Sequence, residues 1–506
     1  MMSLLVLPEI MLEIEGLTLS VETLQALGEI LIQERLSLPT LCEVTFFDAG
    51  LALAEVMRIV PGSRFRVLLA GKQEPLFVGQ VTAVEYTYTP DHGREIRVRG
   101  YDLLHQLRKR QSVRAHVQVT TRDLAQELVA DLGLVVRAAE PGPLWPRLIQ
   151  HRQSDFELLQ EIVEQCGLYL ALRGDILHLL TLQGIGEPIS LTLGENLLEA
   201  RIEMNADALY RSVAATGWNS SRMATYTARA SQARVGRTTT TELIPDRVGG
   251  NGTYEYVDEG FVSNDHAAGL AQAELDLHVA REVTLWGVVE GDARLRTGTP
   301  VEVAGVAGTI AGRYVLTSVT HRIDARKGFL SEVSSAPPAS HRRARSSVGV
   351  PGIVTQIDDP EKWGRVRVSL PTYRNIETDW IAILSVGAGA KKGFMAFPDV
   401  GDHVLVLLAH EDPGQGVVLG GLYGAEQPPD VGIDAGRVQR YTLLTPGGQR
   451  VRLDDGQRSI RLENSDGSYC ELSPQKVRLH AAVDMEIEAP GQRIVIRGQQ
   501  IDFERG

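Results

Sequence analysis

Toward its C-terminus the chain repeats one small pattern, two apolar residues flanking a single residue between them. The pairs are Val451/Leu453, Ile460/Leu462, Cys470/Leu472, Val477/Leu479, Met485/Ile487, Ile494/Ile496 and Ile501/Phe503. In a strand, residues i and i+2 share a face, so each pair points one way and its middle residue the other. The middle residues are Arg452, Arg461, Glu471, Arg478, Glu486, Val495 and Asp502, all charged but one. Turn formers such as Asp454-Asp455-Gly456, Asp466-Gly467, Ser473-Pro474 and Pro490-Gly491 separate the pairs. The pattern predicts a stack of very short strands over 441–506. A lone meander of such strands buries little and leaves bare edges, and a single-chain β-helix would complete too few turns to cover a core. Three copies wound about one axis remove the difficulty, with Ile460, Leu462, Val477, Leu479, Met485, Ile487, Ile494, Ile496, Ile501 and Phe503 forming a dry column. At about 4.8 Å per stacked strand, the result is a needle of roughly 30–35 Å. The competing reading is a two-sheet β domain with accidental periodicity.

The rest of the chain is also mainly β by pattern. Residues 1–115 carry strand-like runs at Leu41–Phe47, Phe65–Leu69, Phe77–Tyr88 and Ile96–Gly100, with turns at Pro61-Gly62 and Asp91-His92-Gly93. Residues 116–184 read as a helical and hairpin insertion. One helix opens near Thr121 and carries Leu124, Leu128 and Leu132 before Gly133. A second opens on the capping box Ser154-Asp155-Phe156-Glu157 and ends at Gly167. A second β domain spans 185–335, with a Ser/Thr/Arg-rich middle at 218–252 and an Ala-rich helix from Asn264 to Arg281. A linker, 336–349, leads to a compact unit at 350–425, where five strand-like runs suit a small closed barrel of the OB type. A bridge, 426–440, precedes the needle.

Composition narrows the function. The 506 residues are 43% hydrophobic and 23% charged, which suits a multidomain globular protein. A net charge of −13 argues against nucleic-acid binding, and the short basic cluster Arg342-Arg343-Ala344-Arg345 reads as a solvated linker. Cys42, Cys166 and Cys470 are odd in number and far apart, so no disulfide framework or metal spacing follows, and folding in a reducing cytosol is expected. The apolar N-terminus lacks a basic lead and is broken by Pro8 and Glu9, which predicts no signal peptide. His410-Glu411-Asp412 is the most enzyme-like triplet, but neighbours on a strand diverge. Gly387 to Gly393 resembles a phosphate loop without its Lys-Ser/Thr ending. No catalytic residue, metal site or cofactor is assigned.

Within 350–425, the run Gly352-Ile353-Val354-Thr355-Gln356-Ile357-Asp358-Asp359-Pro360, then Gly364-Arg365-Val366, resembles the OB-fold opening of the VgrG and phage-baseplate hub–spike proteins. Pro398, Gly401 and Asp402 continue the likeness, and the passages Phe77–Val81, Arg99–Leu104 and Gln150–Phe156 resemble the phage late-control protein D hub. The resemblance implies a fold of two tube-like β-barrels with a few helices, an OB-fold collar and a C-terminal intertwined trimeric β-helix. It implies a homotrimer that nucleates a hexameric inner tube, meets other baseplate proteins, carries a PAAR-type cone protein on Ile501, Phe503 and Gly506, and punctures a target membrane transiently, without catalysis and without nucleic acid. Such a protein would be made in the cytoplasm and built into a contractile particle. The alternatives are a spike with muralytic activity and a glycan-binding β-helix adhesin, for which Tyr469 is the one exposed needle aromatic.

Overall fold

A computed structural model describes residues 9–504 except 48–52, 73, 90–92, 208, 221, 242, 340–345 and 425–426. The Asp91-His92 turn, the Arg342–Arg345 cluster, the first bridge residue Glu426 and the tip residue Gly506 lie outside the described residues. The chain divides into two compact units, the first reaching Leu422 and the second beginning at Tyr423.

The first unit is built on one curled sheet of eleven strands. Their spatial order is Leu197–Met204, Val283–Glu290, Gly328–Ser334, Ser318–Asp324, Leu27–Arg35, Leu41–Phe47, Gly93–Tyr101, Phe77–Thr89, Arg64–Leu69, Ile10–Ile14 and Leu17–Thr18. The sequence pattern suggests separate barrels over 1–115 and 185–335. The two halves do keep separate cores, around Ile30, Val44, Phe65 and Val98 in one and Leu197, Leu285, Val301 and Val333 in the other. They nevertheless share the sheet, because Ser318–Asp324 pairs antiparallel with Leu27–Arg35. Glu34, buried on that shared strand, pairs with Arg296, whose guanidinium also donates to the carbonyls of Leu76 at 3.0 Å and Pro75 at 2.8 Å. A charge this deep is tolerated because its partner sits on it.

The insertion has the two helices the pattern predicts. Thr121–Val129 and Asp155–Gln165 both start on complete capping boxes, at Thr120/Asp123 and Ser154/Glu157. Their apolar stripes meet over Leu124, Leu128, Phe156, Leu159 and Val163. The second helix stops at Gly167, whose φ of 66° suits glycine. A Cβ there would also lie 3.0 Å from Cα of Ala273 on helix Asn264–Glu282. The 218–252 stretch is only partly irregular. Strands Ala224–Ala230, Ser212–Asn219 and Thr253–Gly260 form a sheet, in that order, behind helix Asn264–Glu282.

The collar follows as a six-stranded barrel. Its order is Ile376–Glu377, Arg367–Leu370, Val348–Gln356, His403–Leu408, Gly416–Gly421 and Ala382–Ile383. Val366 and Ile381 exchange N–H···O bonds of 3.0 and 2.9 Å and bring its ends together. The runs expected at Gly364–Leu370 and Trp380–Leu384 are shorter as strands, Arg367–Leu370 and Ala382–Ile383; before the first, an Asp359-anchored turn holds the chain up to Arg365 in another shape.

In the second unit, Arg440–Leu444, Arg450–Asp454, Ser459–Glu463, Tyr469–Leu472 and Val477–His480 pair in sequence as an antiparallel meander. The pattern analysis assigns these strands to partners on other chains. Within one chain, the next strand is the partner within reach. Beyond His480 the described residues contain no strand, so Met485/Ile487, Ile494/Ile496 and Ile501/Phe503 lie outside the ladder.

Candidate functional site

The register of the meander gathers the repeated pairs onto one face. Val451 lies opposite Leu462, Leu453 opposite Ile460, Ile460 opposite Leu472, Leu462 opposite Cys470, Cys470 opposite Leu479 and Leu472 opposite Val477. Tyr441 and Leu443, opposite Leu453 and Val451, extend this face by one strand. The sequence reading missed these two because it began the repeat at Val451. The face is uncovered in the single chain: Leu462 is 53% exposed, Val477 71% and Leu479 63%. It lines an open groove of about 670 Å³, bounded beyond the last strand by Val483 and Met485.

The opposite face covers itself. Arg461 lies 3.9 Å from the centre of the Tyr469 ring and donates to Glu463 at 2.9 Å. Arg478 donates to the Tyr469 hydroxyl at 3.2 Å. Tyr469 is therefore half-buried under arginines, whereas Tyr441 on the apolar face is 63% exposed. The sheet thus has a polar face tied together around Tyr469 and an exposed apolar one. Contiguous exposed apolar surface of this kind marks an interaction site.

In the collar, the motif residues divide into two groups. Gly352 is packed so closely that a Cβ would lie 2.3 Å from Cγ1 of Val368. Gly364 and Gly401 hold φ of 72° and 95° at turns, and Asp402 accepts the Asp399 N–H at 2.7 Å. Val366 is buried in the core, whereas Asp358 and Pro360 are exposed and Pro398 is half-buried. Arg365 is buried against Asp359, with Nε and Nη2 donating at 2.9 and 2.7 Å, and its guanidinium lies 4.7 Å from the Trp363 ring. Asp359 also accepts the N–H groups of Glu361 and Trp363, so it organises the whole turn. The Arg365 guanidinium holds its carboxyl far below the usual carboxylate range. Sequence reasoning placed Asp358 in the motif and gave Asp359 no role; in the doublet, only the strand's end decides which carboxylate turns inward.

The enzyme-like triplet lies in the collar loop that follows strand His403–Leu408. His410 and Glu411 both occupy the left-handed region, with φ of 52° and 57°. Glu411 accepts from Arg152 at 2.8 Å and Ser346 at 3.0 Å, which ties the collar to the hub. Gly387 to Gly393 is a turn, with Gly389 and Lys392 exchanging N–H···O bonds. Cys166 is buried at the end of its helix, and burial pushes its thiol up to about 11. Among the described residues, no group of three or more His, Cys, Asp or Glu is placed to hold a metal, and no helix is long and apolar enough to cross a membrane.

Residues 22–325 match the Alg8 N-terminal domain family, and residues 350–423 match the type VI secretion system/phage-baseplate injector OB domain. Two spike proteins of Pseudomonas aeruginosa are similar to parts of the chain. VgrG4b is 29% identical over 175 residues, covering 32% of this chain, and VgrG1b is 25% identical over 135 residues, covering 25%. The matches span only 20% and 17% of those relatives' lengths. Among solved structures, an E. coli protein described as a type VI secretion component similar to the T4 tail proteins gp27 and gp5 superposes with a TM-score of 0.54. It is 15% identical, and the match covers 81% of this chain and 99% of that one. A Francisella PdpA–VgrG complex chain gives a TM-score of 0.54 at 8% identity, covering 93% and 88%. At such identities the likeness is one of fold.

Proposed function

The chain belongs to the Alg8 N-terminal domain family and to the VgrG and phage-baseplate hub–spike proteins, and on that premise we propose that three copies form the hub and spike of a contractile injection machine. The observation that carries this reading is the uncovered apolar face of the 440–480 meander. Among the described residues Leu462, Val477 and Leu479 stay mostly uncovered, and three copies would cover one another's faces about a common axis. The curled hub sheet supplies the platform on which a hexameric tube protein would start. The needle would carry a cone protein at Ile501 and Phe503 and pass through a target membrane while the sheath contracts.

The role is mechanical. Interchain packing resists unfolding under load, because fraying of one strand is opposed by two other chains, and persistence under load is a matter of unfolding rate. A catalytic reading draws no support from the geometry on hand: Glu411 is engaged with Arg152 and Ser346. The adhesin reading loses Tyr469 to Arg461 and keeps Tyr441, which lies on the face the trimer would cover.

The test is the mass of the protein by light scattering, together with its capture of a hexameric inner-tube protein from a contractile injection system. A trimer that caps tube ends supports the proposal. A stable monomer that ignores the tube overturns it.

A further inference from the structure

The collar carries an arm that its own barrel does not use. Between strands Ala382–Ile383 and His403–Leu408, the chain makes a long excursion with no strand of its own. Loops of this length inside a compact domain are usually functional. This one is ordered by its own hydrogen bonds: Phe394 N–H donates to Val386 O at 3.0 Å, the Ser385 hydroxyl bonds the Phe394 carbonyl, and Gly389 and Lys392 close the tip. It displays Leu384, Val386, Phe394, Met395, Phe397 and Val400, with Val386 80% and Met395 79% exposed. None of the six belongs to the collar core, which is complete around Val354, Val368, Val404, Val406 and Val418. The Phe397 ring lies 3.2 Å from where a Gly364 Cβ would stand, and Trp363, next to Gly364, is itself 56% exposed.

We infer that this arm, residues 384–400, packs against the collar of a second copy of the chain; the inference rests on the trimeric reading above. Between collar strand Gly416–Gly421 and meander strand Arg440–Leu444 lie 18 residues, a reach of at most about 60 Å. Three collars joined to one needle therefore stay at high effective concentration. The tip is basic, with Lys391 and Lys392 exposed, and the turn after strand Val348–Gln356 offers it the exposed Asp358, beside Lys362 and a Glu361 already within 3.2 Å of Arg365. The arm's six apolar side chains offer roughly 500 Å². That is less than the roughly 800 Å² per partner of a stable independent interface. The contact is therefore secondary to the needle: it forms once the needle has joined the copies and fixes the collars in a ring.

The test places the photo-crosslinker p-benzoylphenylalanine at position 395 of the full-length protein. Irradiation is expected to give adducts of two and three chains, with the crosslinked peptide falling within residues 350–422 of another copy. The same label in the Leu462→Asp background is expected to give none. A trimer of normal mass whose label reacts only within its own chain, or only with added anionic vesicles, overturns the inference and leaves the trimeric reading standing. A monomeric wild-type protein overturns both.

Discussion

Replacing Leu462 by Asp separates a needle made of three chains from one made of a single chain. In the isolated chain Leu462 is 53% exposed, opposite Val451 and Cys470. Full burial of a leucine is worth about 1.5–3 kcal/mol, so the exposed half leaves the lone meander only about 1 kcal/mol to lose. In the trimer the cost is of another order. Each copy forfeits the remaining burial, about 1 kcal/mol, and brings a carboxylate into an apolar column at a penalty of several kcal/mol per ion. Three copies lose on the order of 10 kcal/mol or more, which is about seven decades in association. Sedimentation velocity at micromolar concentration reads the mass, and circular dichroism during heating reads the hub. L462D is expected to sediment as a monomer with the hub transition in place, while Leu462→Met remains trimeric. Burial in the trimer would raise the new carboxyl's pKa, so acid should partly restore association. An L462D protein of wild-type mass at neutral pH would refute the reasoning.

Other perturbations probe the hub and the collar. Asp359→Asn strips Arg365 of its bidentate partner and should cost the collar about 3 kcal/mol, read by urea unfolding. Because the folded Asp359 carboxyl lies below its unfolded value, its stabilisation holds above about pH 4 and fades as pH falls further. His321 is buried between the Ser331 hydroxyl and the Leu295 carbonyl, and burial lowers it to about 4. The unfolded chain binds this proton below about pH 6.5 and the folded hub does not, so the hub should lose roughly 3 kcal/mol between pH 6.5 and 4. Asp102, raised by burial to about 6, acts with the opposite sign over a similar window. The check is therefore a smaller acid slope in His321→Gln than in wild type, measured by denaturant titration at each pH. Ser154→Ala removes a capping box and should cost about 1 kcal/mol in thermal melts.

Local rules made much of this architecture legible. Both capping boxes begin helices where Thr120 and Ser154 place them, and the two-residue period of 451–479 becomes a ladder with every pair on one face. Long-range pairing was not legible. The alternation of Leu27–Arg35 says that one face is buried, yet nothing in it names Ser318–Asp324 as the neighbour that fuses the two hub halves. Asp358 and Asp359 look alike in sequence; only the turn's geometry buries one carboxylate under Arg365 and leaves the other in water. The collar arm was read as a turn because glycines and lysines at its tip hide the apolar side chains at its base. The last three apolar pairs, from Met485 to Phe503, follow the repeat without forming strands among the described residues.

The account stands or falls on how many chains share the apolar face of the meander. Native mass spectrometry of the full-length protein counts them directly. The account predicts one species at three times the 55.3 kDa chain, persisting on dilution to nanomolar concentration. A folded species at the mass of one chain, with Leu462 and Val477 protected from solvent labelling by its own residues, would contradict it.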